Sequence, residues 1–419
     1  MELIDTLHID LDRLNSDLEK YARFGKDPKG GITRPSFSQP DLGVRKLFIK
    51  ELRHLGLETT IDGAGNIWGR LKGNGKKSGS IVIGSHLDTV PNGGKYDGAL
   101  GTLMAKEVIQ TLIENGITPE HDIDIVSFTA EESNDFNIST FGCRSFAGRL
   151  STDFLKDVSD SKGLRLVDAL NRVGGGIENY SSMKQLRKDK KAFIELHIEQ
   201  GKRLEDKNIS VAIIDNMVGI YRNKVTITGE ANHSGTTMMN NRIDALTAAS
   251  EMILSVERFA KDDPTDLVGT VGKLDVSPNA ANIIPGKIEF ILEIRGETEE
   301  RINHTLEEIQ KCWQEIARKR KVIIDQEVIQ NQKPVKMDSD VVRILQKTAE
   351  DSSEPYLILA SMARHDAGYM AEVCKSAMIF VKSIDGKSHC PQEYSTPEDI
   401  EKAGNLLLQG TLNVDREID

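Results

Sequence analysis

The stretch that decides the fold is "SIVIGSHLDTVPNGGKYDG", residues 80–98. Its first half reads as a strand buried on both faces, and its second half is polar and rich in glycine. "GTLMAKEVIQTLIENG" (101–116) follows as a helix ending at Gly116, and "DIDIVSFTAEE" (122–132) as a second buried strand. Strand, helix, strand at this spacing predicts a βαβ unit of a largely parallel sheet.

Towards the amino terminus, "LIDTLHIDLDRLNSDLEKYARF" and "PDLGVRKLFIKELRHLGL" have helical apolar spacing, and "ETTIDGAGNIWGRLKG" alternates like a strand. Towards the carboxyl terminus, residues 151–190 are polar and poorly periodic, whereas "KAFIELHIEQG" is strand-like again. From about Val211 the texture becomes that of a compact α+β sandwich, through "NKVTITGEANHSG", "RIDALTAASEMILSVERFA", "LVGTVGKLDVSP", "GKIEFILEIRG" and "ERINHTLEEIQKCWQEIARKRK". The expectation is an α/β, mostly parallel-sheet domain formed by residues 1–211 and 333–419, with an α+β sandwich inserted at 212–332.

With 419 residues the chain is long enough for two domains. Its 54 Lys+Arg against 65 Asp+Glu give a net charge of −11 with no basic block, which argues against nucleic acid or anionic lipid as the main partner. Cys143, Cys312, Cys374 and Cys390 are scattered, so neither a disulfide framework nor a zinc ribbon is expected. The amino terminus lacks a signal-peptide apolar core, and no run of about 18 apolar residues occurs. A cytoplasmic protein without a membrane span is expected.

Four segments carry residues suited to catalysis. In the first, His86 and Asp88 are two apart and project together from a strand's carboxyl end, where open α/β sheets bind ligands. One can bind a metal while the other steers the imidazole. Gly93, Gly94 and Gly98 let the loop return Asp97 towards His86. In the second, "FTAEESND", adjacent Glu131 and Glu132 diverge, so one can ligate while the other handles a proton; charge at the end of a buried strand is costly without a cation. In the third, Glu195, His197 and Glu199 share one strand face, which a solvent-facing edge strand explains as well as a site does. In the fourth, "GKSHCPQEYSTPEDI" is a polar loop offering His389, with Glu393 four residues on.

Imidazoles with carboxylates and no thiolates suit zinc, manganese, cobalt or nickel, and an aspartate can bridge two ions about 3.5–4 Å apart. These motifs resemble the hydantoinase/carbamoylase amidase family, a branch of the di-metal aminoacylase and aminopeptidase superfamily. The likeness runs from "GGITRPSFS" and "DGAGNIWGR", through "ELHIEQG", "GEANHSGTT" and "PNAANIIPG", to "SHCPQEYS".

The resemblance implies a di-metal hydrolase domain with two divalent ions per subunit, one held by His86, Asp97 and His197 and the other by Asp97, Glu132 and His389. It implies Glu131 as general base, Asp88 orienting His86, and His233 polarising the scissile carbonyl, reaching in from the partner subunit of a homodimer. The inserted domain would be the dimerisation and lid domain. Asn282 and Arg295 would hold a substrate carboxylate, with Gln200 and His365 lining the pocket. The implied substrate is a small ureido or amide compound, first an N-carbamoyl-L-amino acid, then allantoate, then N-carbamoyl-β-alanine or a dipeptide or N-acyl amino acid. A silent binding protein with the same fold is the alternative of another class. Two departures bear on substrate choice: Asp135 stands where the family commonly has arginine, and "MARHD" replaces a glycine-rich turn, so that Arg364 is expected to contact a polar or acidic substrate tail.

Overall fold

The computed structural model describes residues 7–419, so the start of the first expected helix lies outside the described residues. That helix is described as Leu11–Tyr21, capped by the Asp10 carboxylate on Arg13 N, and the second as Gln39–His54, capped by Ser38. The chain then forms β1 (Glu58–Ile61), β2 (Ile67–Leu71), β3 (Ser80–His86), the helix Ala99–Glu114, β4 (Asp122–Phe128), β5 (Lys190–Ile198) and β6 (Val211–Met217). Three short helices, Thr152–Lys156, Leu166–Arg172 and Tyr180–Lys188, occupy the aperiodic stretch before β5.

Next come β7 (Gly219–Thr228), β8 (Asn232–His233), the helix Ala245–Asp262, β9 (Val268–Ser277), β10 (Ile283–Ile284), β11 (Lys287–Gly296), the helix Glu299–Arg320, β12 (Ile323–Gln332) and β13 (Val335–Lys336). The helix Ser339–Asp351, β14 (Tyr356–Ser361), β15 (Lys375–Val381) and the helix Pro397–Glu417 complete the chain.

The chain divides into two compact units. The first holds Met1–Asp215, Met337–Leu359 and His365–Asp419, and the second holds Asn216–Lys336 and Ala360–Arg364. Both crossings differ by a few residues from the positions expected at 211 and 332. β6 is one continuous strand across the first crossing, so apolar texture gives no break there. Residues 360–364 join the second unit because Val218 N donates to Ser361 O and Arg295 Nη1 to Met362 O.

In the first unit the sheet order is β1-β2-β4-β3-β5-β15-β6, with β4, β3, β5 and β15 mutually parallel and β1, β2 and β6 antiparallel to their neighbours. Every residue of β3 is buried, as the continuous apolar run requires. The helices Ala99–Glu114 and Pro397–Glu417 both pack on β3 and β5. At Gly101 a Cβ would lie 2.1 Å from Leu196 O, so glycine permits the approach of helix to strand. β5 lies between β3 and β15, which removes the edge-strand explanation for its charged residues. The parallel strands end on one edge, which collects the first unit's His86, Asp97, Glu131, Glu132, His197 and His389.

The second unit is an antiparallel sheet, β12-β7-β11-β9, with a separate β8–β10 ribbon. β11 alternates buried and part-exposed residues, and its buried face joins Val225, Ile227, Met252 and Trp313 in one core beneath the two long helices.

Candidate metal centre

His86 closes β3, and its Nδ1 lies 3.0 Å from the carbonyl of Asp88. A proton on Nδ1 satisfies that carbonyl and leaves the Nε2 lone pair aimed at Asp97 Oδ1, 3.5 Å away. His197 repeats the device: Nδ1 meets Ile198 O at 3.0 Å, and Nε2 lies 3.3 Å from the same Asp97 oxygen. His389 Nε2 approaches Asp97 Oδ2 at 3.2 Å and Glu132 Oε1 at 3.5 Å. Two overlapping donor sets result, His86, Asp97, His197 and Asp97, Glu132, His389, with Asp97 in both.

Asp97 reaches this position because Gly98 has φ +63, and a Cβ there would fall 2.2–2.4 Å from the His86 ring. Three non-glycine residues at the site also hold left-handed backbone: Ala130 (φ 55), Gln200 (φ 59) and His389 (φ 57). Such conformations cost about 1–3 kcal/mol each and cluster at functional sites.

The Asp88 carboxylate does more than steer His86. It lies 3.7 Å from His86 Nδ1, but accepts from Glu131 N at 3.3 Å, Glu132 N at 3.1 Å and Ser36 Oγ at 2.8 Å. Asp88 therefore steers the imidazole by its carbonyl and fixes the two glutamates by its side chain. Glu131 points Oε2 to within 3.7 Å of His86 Nε2. Gln200 donates from Nε2 to Asp97 Oδ2 at 2.7 Å, so the sequence reading that placed it at the substrate omitted its contact with a candidate ligand. The buried His365 ring lies 4.3 Å from that of His197.

Of the other β5 carboxylates, Glu195 accepts from Ser85 Oγ and Ala367 N, and Glu199 accepts from the backbone of Arg203 and Leu204. Both hold the scaffold together.

The second unit brings His233 and Asn282 close, because His233 pairs with Ile283 across the β8–β10 ribbon and Ser234 N donates to Asn282 O. His233 is exposed, and its Nδ1 accepts from Gly235 N at 3.0 Å and Thr236 N at 3.3 Å. Nε2 therefore carries the ring proton and is a donor. Arg295 is engaged within its own unit, by Nε on Glu293 Oε1 and by Nη1 on Met362 O, both at 2.7 Å. Arg364 Nη1 lies 3.4 Å from Lys333 O, and Asp135 is exposed.

Comparison with known proteins identifies the family. Peptidase family M20/M25/M40 matches residues 82–412. The chain is 36% identical to the N-carbamoyl-L-amino acid amidohydrolase of Geobacillus stearothermophilus over 94% of this chain and 96% of the relative. It is 34% identical to the allantoate amidohydrolase of Escherichia coli over 94% and 95%. A solved hydantoinase/carbamoylase amidase from Burkholderia multivorans superposes with a TM-score of 0.90 at 32% identity, over 97% of this chain and 98% of that one. The chain belongs to the hydantoinase/carbamoylase family of amidases.

Burial and neighbouring charge set the protonation of the amidase's clustered carboxylates and imidazoles. Burial pushes Glu132 up to about 7, aided by the negative charge of Asp97, and pushes Glu131 up likewise, against the pull of His86. Burial also opposes charge on Asp97, but His197, His389 and His86 hold it well below the ordinary range. The hydrogen bond to Asp97 lifts His389 to about 9. His365 is driven well below its ordinary range by burial and by His197. As an M20-family amidase the chain is a hydrolase of carbon–nitrogen bonds other than peptide bonds. No helix among the described residues is long and apolar enough to cross a membrane.

Proposed function

We propose that the amidase cleaves the ureido group of an N-carbamoyl-L-amino acid, releasing the amino acid, ammonia and carbon dioxide, with two divalent ions per subunit. The observation that carries the two-ion part of this reading is the pair of donor sets sharing Asp97, and the substrate class follows relatives named N-carbamoyl-L-amino acid amidohydrolase at 36% and 34% identity. Ligand atoms about 2.0–2.2 Å from a tetrahedral ion stand roughly 3.3–3.6 Å apart, and the gaps of 3.2–3.5 Å within the two donor sets are close to that spacing. Both buried histidines also turn a lone pair inward and spend their other nitrogen on a carbonyl. Ions held there supply Lewis-acid polarisation of the substrate carbonyl and acidify the attacking water.

The protein's own groups do the rest. Glu131 takes the proton of the attacking water on its carboxylate and delivers it to the departing nitrogen. His233 donates from Nε2 to the oxyanion that develops on the scissile carbonyl. Asn282 and Arg295 hold the substrate carboxylate, the latter through the guanidinium that Glu293 and Met362 O keep in place.

The reading includes a homodimer, supported by exposed apolar side chains of the second unit, among them Leu254, Leu274, Ile323, Val328 and Ile329. It also includes a cytoplasmic setting, supported by four free cysteines. Arg364 favours a second reading, allantoate, whose additional ureido group offers that guanidinium an acceptor.

Ammonia release from N-carbamoyl-L-amino acids, N-carbamoyl-β-alanine and allantoate, each with manganese, zinc, cobalt and nickel, tests the proposal. Turnover of the first class ahead of the others supports it, whereas bound metal without turnover of any candidate would show a binding protein. If His233 acts from the partner subunit, mixing inactive Glu131→Gln and His233→Ala proteins restores activity in mixed dimers. No recovery in dimers shown to have exchanged subunits rules out that placement.

A further inference from the structure

Glu393 sits four residues past His389, with 5% of its surface exposed. Its partners are two backbone amides and a hydroxyl: Oε1 accepts from Tyr96 N at 2.9 Å and Asp97 N at 3.0 Å, and Oε2 accepts from Ser388 Oγ at 3.2 Å. Ser388 Oγ also lies 2.9 Å from Asp97 Oδ2, the oxygen that faces His389. One side chain thus grips the main chain of Asp97, while its neighbour in the loop grips the carboxylate.

The sequence shows the same requirement at Gly94. Its backbone does not occupy the left-handed region, yet a Cβ there would fall 2.1 Å from Glu393 Oε1 and 2.5 Å from Glu393 Cβ. The glycine clears room for the carboxylate. Within the other loop, Glu393 N donates to Cys390 O, which folds the segment so that Ser388, His389 and Glu393 all face the loop of Asp97.

We propose that Glu393 is a positioning residue of the metal centre: with Ser388 it locks the loop of Asp97 to the loop of His389 and so sets the aim of the shared ligand at both ions. This rests on the two-ion reading above. Asp97 belongs to both donor sets, so loosening it weakens both ions together, whereas Glu132 belongs to one set.

Zinc and manganese binding to the chelator-stripped full-length chain, followed by competition with a chromophoric chelator, tests this. Since partners of metal ligands typically contribute 10–100-fold to affinity, Glu393→Ala should weaken both equivalents by about that factor and Ser388→Ala by roughly threefold to tenfold. Gly94→Ala should follow Glu393→Ala. Glu393→Gln keeps an oxygen for the two amides and can reverse the bond to Ser388, so it should stay within about threefold of the parent.

Unchanged affinity in Glu393→Ala and Ser388→Ala, or weakening of one equivalent alone, overturns the proposal. So does Glu393→Gln behaving like Glu393→Ala. Should Glu393→Ala not fold, Ser388→Ala and Glu393→Gln decide between them. A parent chain that binds no divalent ion would instead remove the metal-centre reading itself.

Discussion

The two ends of the same parallel strands make the most instructive comparison. At the amino ends of β3, β4 and β5, Asp124 accepts from Arg70, from Ser80 Oγ at 2.6 Å and from Lys190 Nζ at 2.5 Å. Lys190 and Asp124 are almost wholly buried, and Arg70 also reaches Asp189. At the carboxyl ends, Asp97, Glu131 and Glu132 share one space with three histidines and no lysine or arginine partner among the described contacts.

The electrostatics differ accordingly. Burial works against charge on Asp124, yet Arg70 and Lys190 hold it below the ordinary carboxylate range, whereas Glu131 and Glu132 are pushed up. One cluster is complete in protein alone, and the other groups residues that could hold a cation. Buried charge marks function where its own partners fail to balance it.

The largest test of this contrast is Glu131→Gln, which should cut turnover by about 10²–10⁴-fold while metal content stays at the parent level. Near-normal ammonia release from that variant would contradict the role of Glu131. Its neighbour behaves differently: Glu132→Gln should lose metal, read by elemental analysis of the purified protein.

At the other end of the strands, Asp124→Asn takes from the buried Lys190 its close charge partner and leaves it only Asp189, 3.9 Å away. It should lower unfolding free energy by about 3–5 kcal/mol in denaturant titrations, with metal content of the folded protein unchanged. Loss of metal from folded Asp124→Asn would erase the distinction between the ends.

Ligand linkage sharpens it further. Divalent metal at about 100 times its dissociation constant should raise the stability of the parent by about 2.7 kcal/mol for each ion bound, and of Asp124→Asn by the same amount. A smaller effect comes from Arg364→Gly, which should shift the preference between allantoate and N-carbamoyl amino acids by about tenfold, the scale of one charged hydrogen bond. An unchanged ratio would remove Arg364 from substrate choice.

The pH dependence gives the finest discrimination. The depressed pKa of Asp124 means that its ion pairs contribute fully above its unfolded value of about 3.9 and are lost as pH falls through the folded value. Stability of Asp124→Asn should accordingly fall less steeply below pH about 4 than that of the parent. Parallel acid-unfolding curves would contradict the assignment.

The candidate site residues were legible because each occupies a place that local pattern defines: His86 and His197 on apolar strands, Glu131 and Glu132 at a strand end, Asp97 beside Gly98 and His389 in a polar loop. The supporting bonds were not. Glu393 meets Tyr96 and Asp97 across 297 and 296 residues, and Gln200 meets Asp97 across 103. Asp88 was legible as a partner of His86, but its grip on the amides of Glu131 and Glu132 depends on the turn at Ala130, a non-glycine residue in left-handed backbone that sequence alone does not reveal. The switch of unit within β6 was hidden for a similar reason, since one strand has one texture whichever body it serves.

The sequence by itself determined the alternation of buried strands and helices, the separate α+β sandwich and the chemical kind of the candidate site, because apolar period and donor type are local properties. Tertiary structure alone decided which oxygen faces which imidazole, that Gln200 and Ser388 complete Asp97, and that one end of the sheet balances its charge while the other does not. Those outcomes depend on distances between segments far apart in the chain, and only the packing of parallel strands under their helices sets them.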